Sequence, residues 1–208
     1  MKYHEAILAI AMLFAGSAAA MSAARANAET EDHQHHHAVA GKSSSYQRST
    51  ASYSIPDVRL VDMNGTETSL RAGLGGNEPV MLNFIFTSCS AICPVMSATF
   101  YQVQELLGNE RDKVRMVSIS IDPENDTPAR LREYADKFEA GPQWSMLTGS
   151  VADSIAVQRA FGAFRGDKMN HAPVTFLRAG GTGNTWVRLD GLAGASDIVM
   201  EYRKLAAH

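Results

Sequence analysis

Cysteine is almost absent from this sequence: Cys89 and Cys93 are the only two. A structural zinc site wants four good donors, and two thiols with one well-placed histidine downstream make three. A membrane span wants about 20 strongly apolar residues. The single candidate, Ala6 to Ala20, is short and rich in alanine. Positive charge is in no excess either. With 19 Lys+Arg against 22 Asp+Glu, the chain has no electrostatic footprint for nucleic acid. No internal repeat is visible, and the partners left over are proteins, metals or small redox molecules.

The opening MKYHEAILAIAMLFAGSAAAMSAARANA has the layout of a secretory signal. Lys2 gives the positive start, small and apolar residues follow, and Ala26-Asn27-Ala28 is an A-x-A cleavage site, with Glu5 a departure from the pattern. The expectation is a cleaved signal over residues 1–28, with an uncleaved membrane anchor as the alternative. Cleavage takes Lys+Arg from 19 to 17 and Asp+Glu from 22 to 21, leaving a net charge of about −4. A periplasmic or otherwise exported chain meets an oxidising compartment, where the two cysteines can cycle between dithiol and disulfide. Residues 29–52 are polar, small and aperiodic, and read as a disordered tether. The tether carries His33, His35, His36 and His37. Four imidazoles there can collect Cu(II) or Zn(II) weakly and raise its local concentration.

The remainder, 53–208, is sized for one folded core. Val58 to Asp62 reads as a strand, with a turn at Met63-Asn64-Gly65-Thr66. Val80 to Thr87 is nearly all apolar, the mark of a central strand buried on both faces. Pro94 stands in the first turn of a helix that stops at Gly108. Val114 to Ile121 is the next buried strand. Thr127 caps a helix with Pro128 at its first position, and another helix fits Val151 to Phe161. Strands over Pro173 to Leu177 and Thr185 to Leu189 flank a Gly-rich turn, and Ser196 caps a last helix. The order βα-βα-α-ββα predicts an α/β thioredoxin-like fold: a central mixed sheet flanked by helices, with an N-terminal extension. The cysteines then lie at the carboxyl end of a central strand, where open α/β sheets place their chemistry.

Positions four apart in a helix have Cβ atoms about 5 to 6 Å apart, whereas a disulfide wants roughly 3.5 to 4.5 Å. Cys89 therefore belongs to the loop before the helix and Cys93 to its first turn. Free N–H groups and the positive end of the helix dipole favour thiolate there, and are expected to lower the pKa of Cys93. The pair reads as a redox switch, as part of a soft-metal site, or as both. A purely structural disulfide closing so short a loop would constrain the unfolded chain weakly. Two thiolates usually need a third ligand to hold a soft metal. Beyond the tether only His171 and His208 offer imidazole. His171 directly precedes a predicted strand whose end faces the cysteine loop. A lone histidine also commonly packs or caps.

The chain resembles the SCO/SenC family of copper-binding, thioredoxin-fold assembly factors for cytochrome oxidase, over about residues 53 to 206. Four blocks carry the resemblance: Phe84-Ile85-Phe86-Thr87-Ser88-Cys89-Ser90-Ala91-Ile92-Cys93-Pro94; Ser118-Ile119-Ser120-Ile121-Asp122-Pro123-Glu124-Asn125-Asp126-Thr127-Pro128; Trp144-Ser145-Met146-Leu147-Thr148-Gly149; and Asn170-His171. A C-x-x-x-C alone is weak, and the four in this order are specific. The resemblance implies that Cys89, Cys93 and His171 bind one copper ion, as Cu(I) or Cu(II), and that the metal-free protein can act as a thiol reductant. It implies a cuproenzyme client such as a cytochrome c oxidase subunit, with other copper chaperones or thiol reductants as further partners. Asp122 would orient the site or guide docking, although a strand-to-helix turn with an N-cap accounts for Asp126-Thr127-Pro128 by itself. Met96 and Met169 are thioethers beside the expected ligands, as outer Cu(I) donors or as packing residues. Ser90 stands where the family has proline, and the segment Trp186 to Gly191 departs from the family's hairpin, which leaves room for a client other than cytochrome oxidase.

The competing reading is a thioredoxin-type thiol-disulfide oxidoreductase, with Cys89 as nucleophile, Cys93 as resolver and no use for His171. Such enzymes generally carry C-x-x-C. A peroxiredoxin's P-x-x-x-T-x-x-C fails, since Phe86 lies three before Cys89 and Ser90 three before Cys93.

Overall fold

The computed structural model describes residues 45–206 apart from residues 75, 76 and 182. The expected signal at 1–28, the histidine-bearing part of the tether and His208 lie outside the described residues. In chain order the elements are β1 (Tyr46–Ser52), β2 (Arg59–Asp62), β3 (Glu67–Ser69), α1 (Leu70–Gly73), β4 (Val80–Ile85), α2 (Ile92–Leu107), β5 (Arg115–Ser120), α3 (Pro128–Lys137), β6 (Trp144–Gly149), α4 (Val151–Ala160), β7 (Val174–Arg178), β8 (Thr185–Gly191) and α5 (Ala195–Ala206).

All eight strands join one mixed sheet, in the order β1-β8-β7-β4-β5-β6-β2-β3. β4, β5 and β6 run parallel, and β4 also pairs antiparallel with β7. Every residue of β4 is buried. Met81 and Ile85 enter a core shared with Phe100 and Val103 of α2, Leu131 of α3 and Ile198 of α5. Leu82 and Phe84 enter the opposite core with Val157 of α4, Phe161 and Phe176. A strand covered on both faces shows no alternation of apolar and polar residues, which is why its sequence is an apolar run broken only by Asn83. The layout is the thioredoxin-like α/β sandwich expected, with helices on both faces of the sheet.

The expected tether ended at residue 52, and its last seven residues are instead strand β1. They pair with β8 over their whole length, from Tyr46 opposite Gly191 to Ser52 opposite Thr185. No residue of β1 is fully buried, so the stretch has no apolar periodicity to read; backbone pairing and the Arg48–Glu201 ion pair at 2.7 Å hold it. At its start, a Cβ on Gly191 would meet the Ser45 carbonyl oxygen at 2.6 Å, and Gly191 has φ +110°. Only glycine allows so close an approach.

The strand and turn expected over Val58 to Thr66 are present as β2 and the turn that pairs it with β3, and the structure adds β3, β6 and the single-turn α1 to the expected order. β6 lies beside β5 and sends Trp144 and Met146 into one core and Leu147 into the other. The capping of α3 is as expected: Thr127 Oγ1 accepts the Arg130 N–H at 3.3 Å, and Pro128 opens the helix. Ser196 is not the cap of α5. The Ile198 N–H already donates to the Gly194 carbonyl at 3.0 Å, so Gly194 holds the cap position and Ser196 lies inside the first turn.

Candidate metal and thiol centre

β4 ends at Ile85 and delivers the chain to a tight loop in which the Cys89 N–H donates to the Phe86 carbonyl at 3.2 Å. α2 then starts at Ile92, with Ala91 in the cap position and no side-chain cap of its own. The sulfur of Cys89 takes that role. The Cys93 N–H points at Cys89 Sγ at 3.5 Å, and the N–H groups of Ala91 and Ile92 also favour its charged form. Helix starts leave such N–H groups without intrahelical partners.

Both cysteines are free thiols, and they differ sharply. Cys89 is partly exposed. Burial works against its thiolate, but the hydrogen bonds from Cys93, Ala91 and Ile92 outweigh it and hold the pKa below the ordinary thiol value. Cys93 is fully buried against α2's core neighbours, and burial pushes its thiol up to about 12 despite a lowering hydrogen bond at the Phe86 backbone. The sequence placed the activated thiol at Cys93 because that residue sits in the first helical turn. In fact the side chain of that turn points into the core, and the N–H groups it leaves free converge on Cys89 instead.

The loop is anchored from the Asp122–Thr127 turn. Asp126 is fully buried. Its carboxylate accepts the Thr87 N–H at 3.1 and 3.2 Å, the Thr87 hydroxyl at 2.6 Å and the Ser120 hydroxyl at 2.6 Å. A residue read as part of a helix cap thus clamps the end of β5 to the residue two before Cys89. The turn block was visible in the sequence, but the target 39 residues earlier in the chain was not.

His171 follows a short 3-10 turn, Lys168–Asn170, and lies near the same end of β4. Its Nε2 is 3.0 Å from the Phe84 carbonyl oxygen. A carbonyl only accepts, so Nε2 carries the hydrogen and the Nδ1 lone pair is left for another partner. Burial holds the imidazole pKa below its ordinary value, against the raising effect of the Phe84 carbonyl and with Arg165 adding to the lowering. Among the described residues no group of three or more His, Cys, Asp or Glu side chains stands close enough to hold a metal ion. In this conformation the fold brings Cys89 and Cys93 together and keeps His171 apart. Met96 is buried in the core, whereas Met169 is 73% exposed.

Two residues complete the surroundings. Asp122 is buried, accepts both Asn125 Nδ2 contacts at 3.0 and 3.1 Å, and pairs with Lys168 Nζ at 2.6 Å. The Lys168 ammonium also sits 5.6 Å from the centre of the Phe86 ring, and the hydrogen bond to Asp122 raises its pKa. No pattern in the sequence marked Lys168. Beside these groups opens a cleft of about 320 Å³, lined by Asp122, Asn125, Phe164, Arg165, Lys168 and His171 among others. By donor chemistry the set suits copper: thiolates favour Cu(I), and imidazole admits Cu(II).

The chain is similar to the SCO1 protein homolog of Bacillus subtilis, 35% identical over 104 residues, which are 50% of this chain and 53% of that protein. The match therefore spans about half the length of that relative. Among solved structures it is similar to BsSco, a member of the Sco family of cytochrome c oxidase assembly proteins in which a disulfide switch was identified. That structure is 27% identical, with a TM-score of 0.62 over 74% of this chain and 94% of the other. It also shares its fold with copper-bound ScoI of Bradyrhizobium japonicum, 22% identical, with a TM-score of 0.61 over 74% of this chain and 99% of the other. The sequence profile of the SCO1/SenC family matches residues 46–205, from the start of β1 into the last turn of α5, and the chain belongs to that family.

Proposed function

We propose that this protein is an exported copper-binding metallochaperone. It delivers copper to a cuproenzyme such as a cytochrome c oxidase subunit, or reduces the cysteines of that client's copper site. Cys89, Cys93 and His171 are its copper ligands, and other copper chaperones and thiol reductants are its further partners. The observation that carries this reading is the thiol pair: a partly exposed sulfur with a lowered pKa touching a buried second thiol at the start of α2. Membership of the SCO1/SenC family and the copper-bound relative support it. The start of the sequence supports export, by a cleaved signal or with the signal retained as an anchor.

The same asymmetry favours a second reading, a thiol-disulfide oxidoreductase. The Cys89 thiolate would attack one sulfur of a client disulfide, forming a mixed disulfide and releasing the other client sulfur as thiolate. Cys93 would then lose its proton and attack Cys89 Sγ, freeing the second client thiolate. The Cys89–Cys93 pair ends oxidised, and the client has gained two electrons.

Anaerobic Cu(I) titration and Cu(II) absorption, on the parent, Cys89→Ser and His171→Ala, separate the two readings. The metallochaperone binds one tight equivalent and shows a thiolate-to-copper(II) band. His171→Ala loses most Cu(II) affinity and keeps appreciable Cu(I) affinity, because two soft donors remain. An oxidoreductase shows no such band, and His171→Ala leaves its metal binding unchanged.

A further inference from the structure

His171 is held apart from the cysteines, and the turn that carries it shows what holds it. The Asp167 side chain accepts the Met169 N–H at 2.9 Å, and the Lys168 carbonyl accepts the His171 N–H at 3.1 Å. Residues 167 to 171 are therefore tied to one another by local hydrogen bonds. Its outer side has little packing to restrain it: Met169 is 73% exposed, and Asn170 and Ala172 are also exposed. Upstream, Gly166 has φ +78° and open space where a Cβ would stand, a backbone that can absorb a change of direction.

Two side chains tie the inner side down. The His171 imidazole hydrogen-bonds the Phe84 carbonyl. The Lys168 ammonium meets Asp122 at 2.6 Å and lies over the Phe86 ring. Asp122 is a firm anchor, since Asn125 holds its carboxylate and its own N–H donates to Ser120 Oγ at 3.0 Å.

We propose that Lys168 is a latch on the His171 turn: its ion pair with Asp122 keeps the imidazole parked on the Phe84 carbonyl, and release of that pair lets His171 join Cys89 and Cys93. Lys168 is then a positioning residue, acting on the metal site through His171 and touching no ligand atom itself. The latch rests on the metallochaperone reading for its purpose, but its mechanics can be measured without metal. A turn with so little apolar burial is kept in place mainly by these polar contacts, so losing the ion pair among them shifts its equilibrium toward the open position.

The test uses the full chain with Lys168→Ala and Lys168→Arg. In metal-free protein, modification of His171 by diethylpyrocarbonate, read by peptide mass, should run about five- to tenfold faster in Lys168→Ala, the scale of one partly exposed ion pair on a buried carboxylate. Lys168→Arg keeps the charge and should stay near the parent rate. Unchanged modification in Lys168→Ala overturns the latch. With Cu(II), the parent's thiolate-to-copper band should include a phase that is missing in His171→Ala, and Lys168→Ala should quicken that phase by a similar factor. If the band appears and the phase keeps its parent rate in Lys168→Ala, the latch fails while the metallochaperone reading stands. If the parent shows no band, that reading fails, and the modification rates alone decide the latch.

Discussion

Asp126→Ala should be among the most damaging single changes to this fold. The side chain is fully buried and accepts from the Thr87 N–H, the Thr87 hydroxyl and the Ser120 hydroxyl, the last two at 2.6 Å. The two hydroxyls can rotate toward other acceptors. The Thr87 N–H cannot, and truncation leaves it without this partner in a part-buried position. Hydrogen bonds to a charged group contribute about 1.5–3 kcal/mol each, and an orphaned buried donor costs about 1–3 kcal/mol. Allowing for the hydroxyls' recovery, the expected loss is about 3–5 kcal/mol, a large part of the ~5–15 kcal/mol that a domain has in total. Asp126→Asn keeps one acceptor oxygen and the shape, and should lose about half as much. Urea unfolding of both variants reads the loss from the midpoint at unchanged slope. The alkylation rate of Cys89 in the folded state reads whether its loop has loosened. A stability change within about 0.5 kcal/mol for Asp126→Ala, the usual size for an unremarkable surface site, would show that the carboxylate is not the anchor described.

Three further outcomes are expected. Iodoacetamide at neutral pH should label Cys89 and spare Cys93, and the rate should rise with pH to a midpoint below the ordinary thiol value; Cys89→Ser should slow labelling by at least about 100-fold, because Cys93 is buried with its pKa pushed up to about 12. Glu201 is buried, and although burial raises its pKa, Lys204 and Arg48 bring the carboxyl below the ordinary glutamate value. A folded-state pKa below the unfolded one gives stability that is present above about pH 4.5 and lost as pH falls through the folded value; Arg48→Ala should thus cost about 1 kcal/mol at pH 7 and much less near pH 3, by thermal unfolding across pH. Deleting residues 29–40 should leave the melting temperature and the tight metal equivalent unchanged and remove only weaker equivalents, as counted by isothermal titration.

Where burial on both faces or a local cap decides an element, the sequence was enough to find it. β4 stands out as a nearly continuous apolar run, β5 as Met, Val and Ile interleaved with small serines, and Thr127-Pro128 marks the start of α3 to the residue. β1 could not be read that way, because its stability comes from pairing with a strand about 140 residues later in the chain, and backbone pairing leaves no periodic mark. The site divides along the same line. Cys89, Cys93 and His171 are conspicuous by type and motif. Which cysteine is activated depends on the direction of one side chain in a helical turn, and Lys168 and Asp126 act across 46 and 39 residues of sequence, a distance no local pattern spans.

β1 has a protective role beyond completing the sheet. Its neighbour β8 carries Trp186, Val187 and Leu189, all buried, and without β1 the outer N–H and C=O groups of β8 would be open to another chain. Such an apolar edge invites strand-to-strand aggregation. β1 covers it with polar residues, including Arg48, and presents a poor template in its turn; at the opposite edge β3 is only three residues long. A truncated form starting at residue 53, where the composition alone would draw the domain boundary, would keep every candidate ligand and lose this guard. It should precipitate or self-associate on expression, whereas a form starting at residue 45 should stay monodisperse.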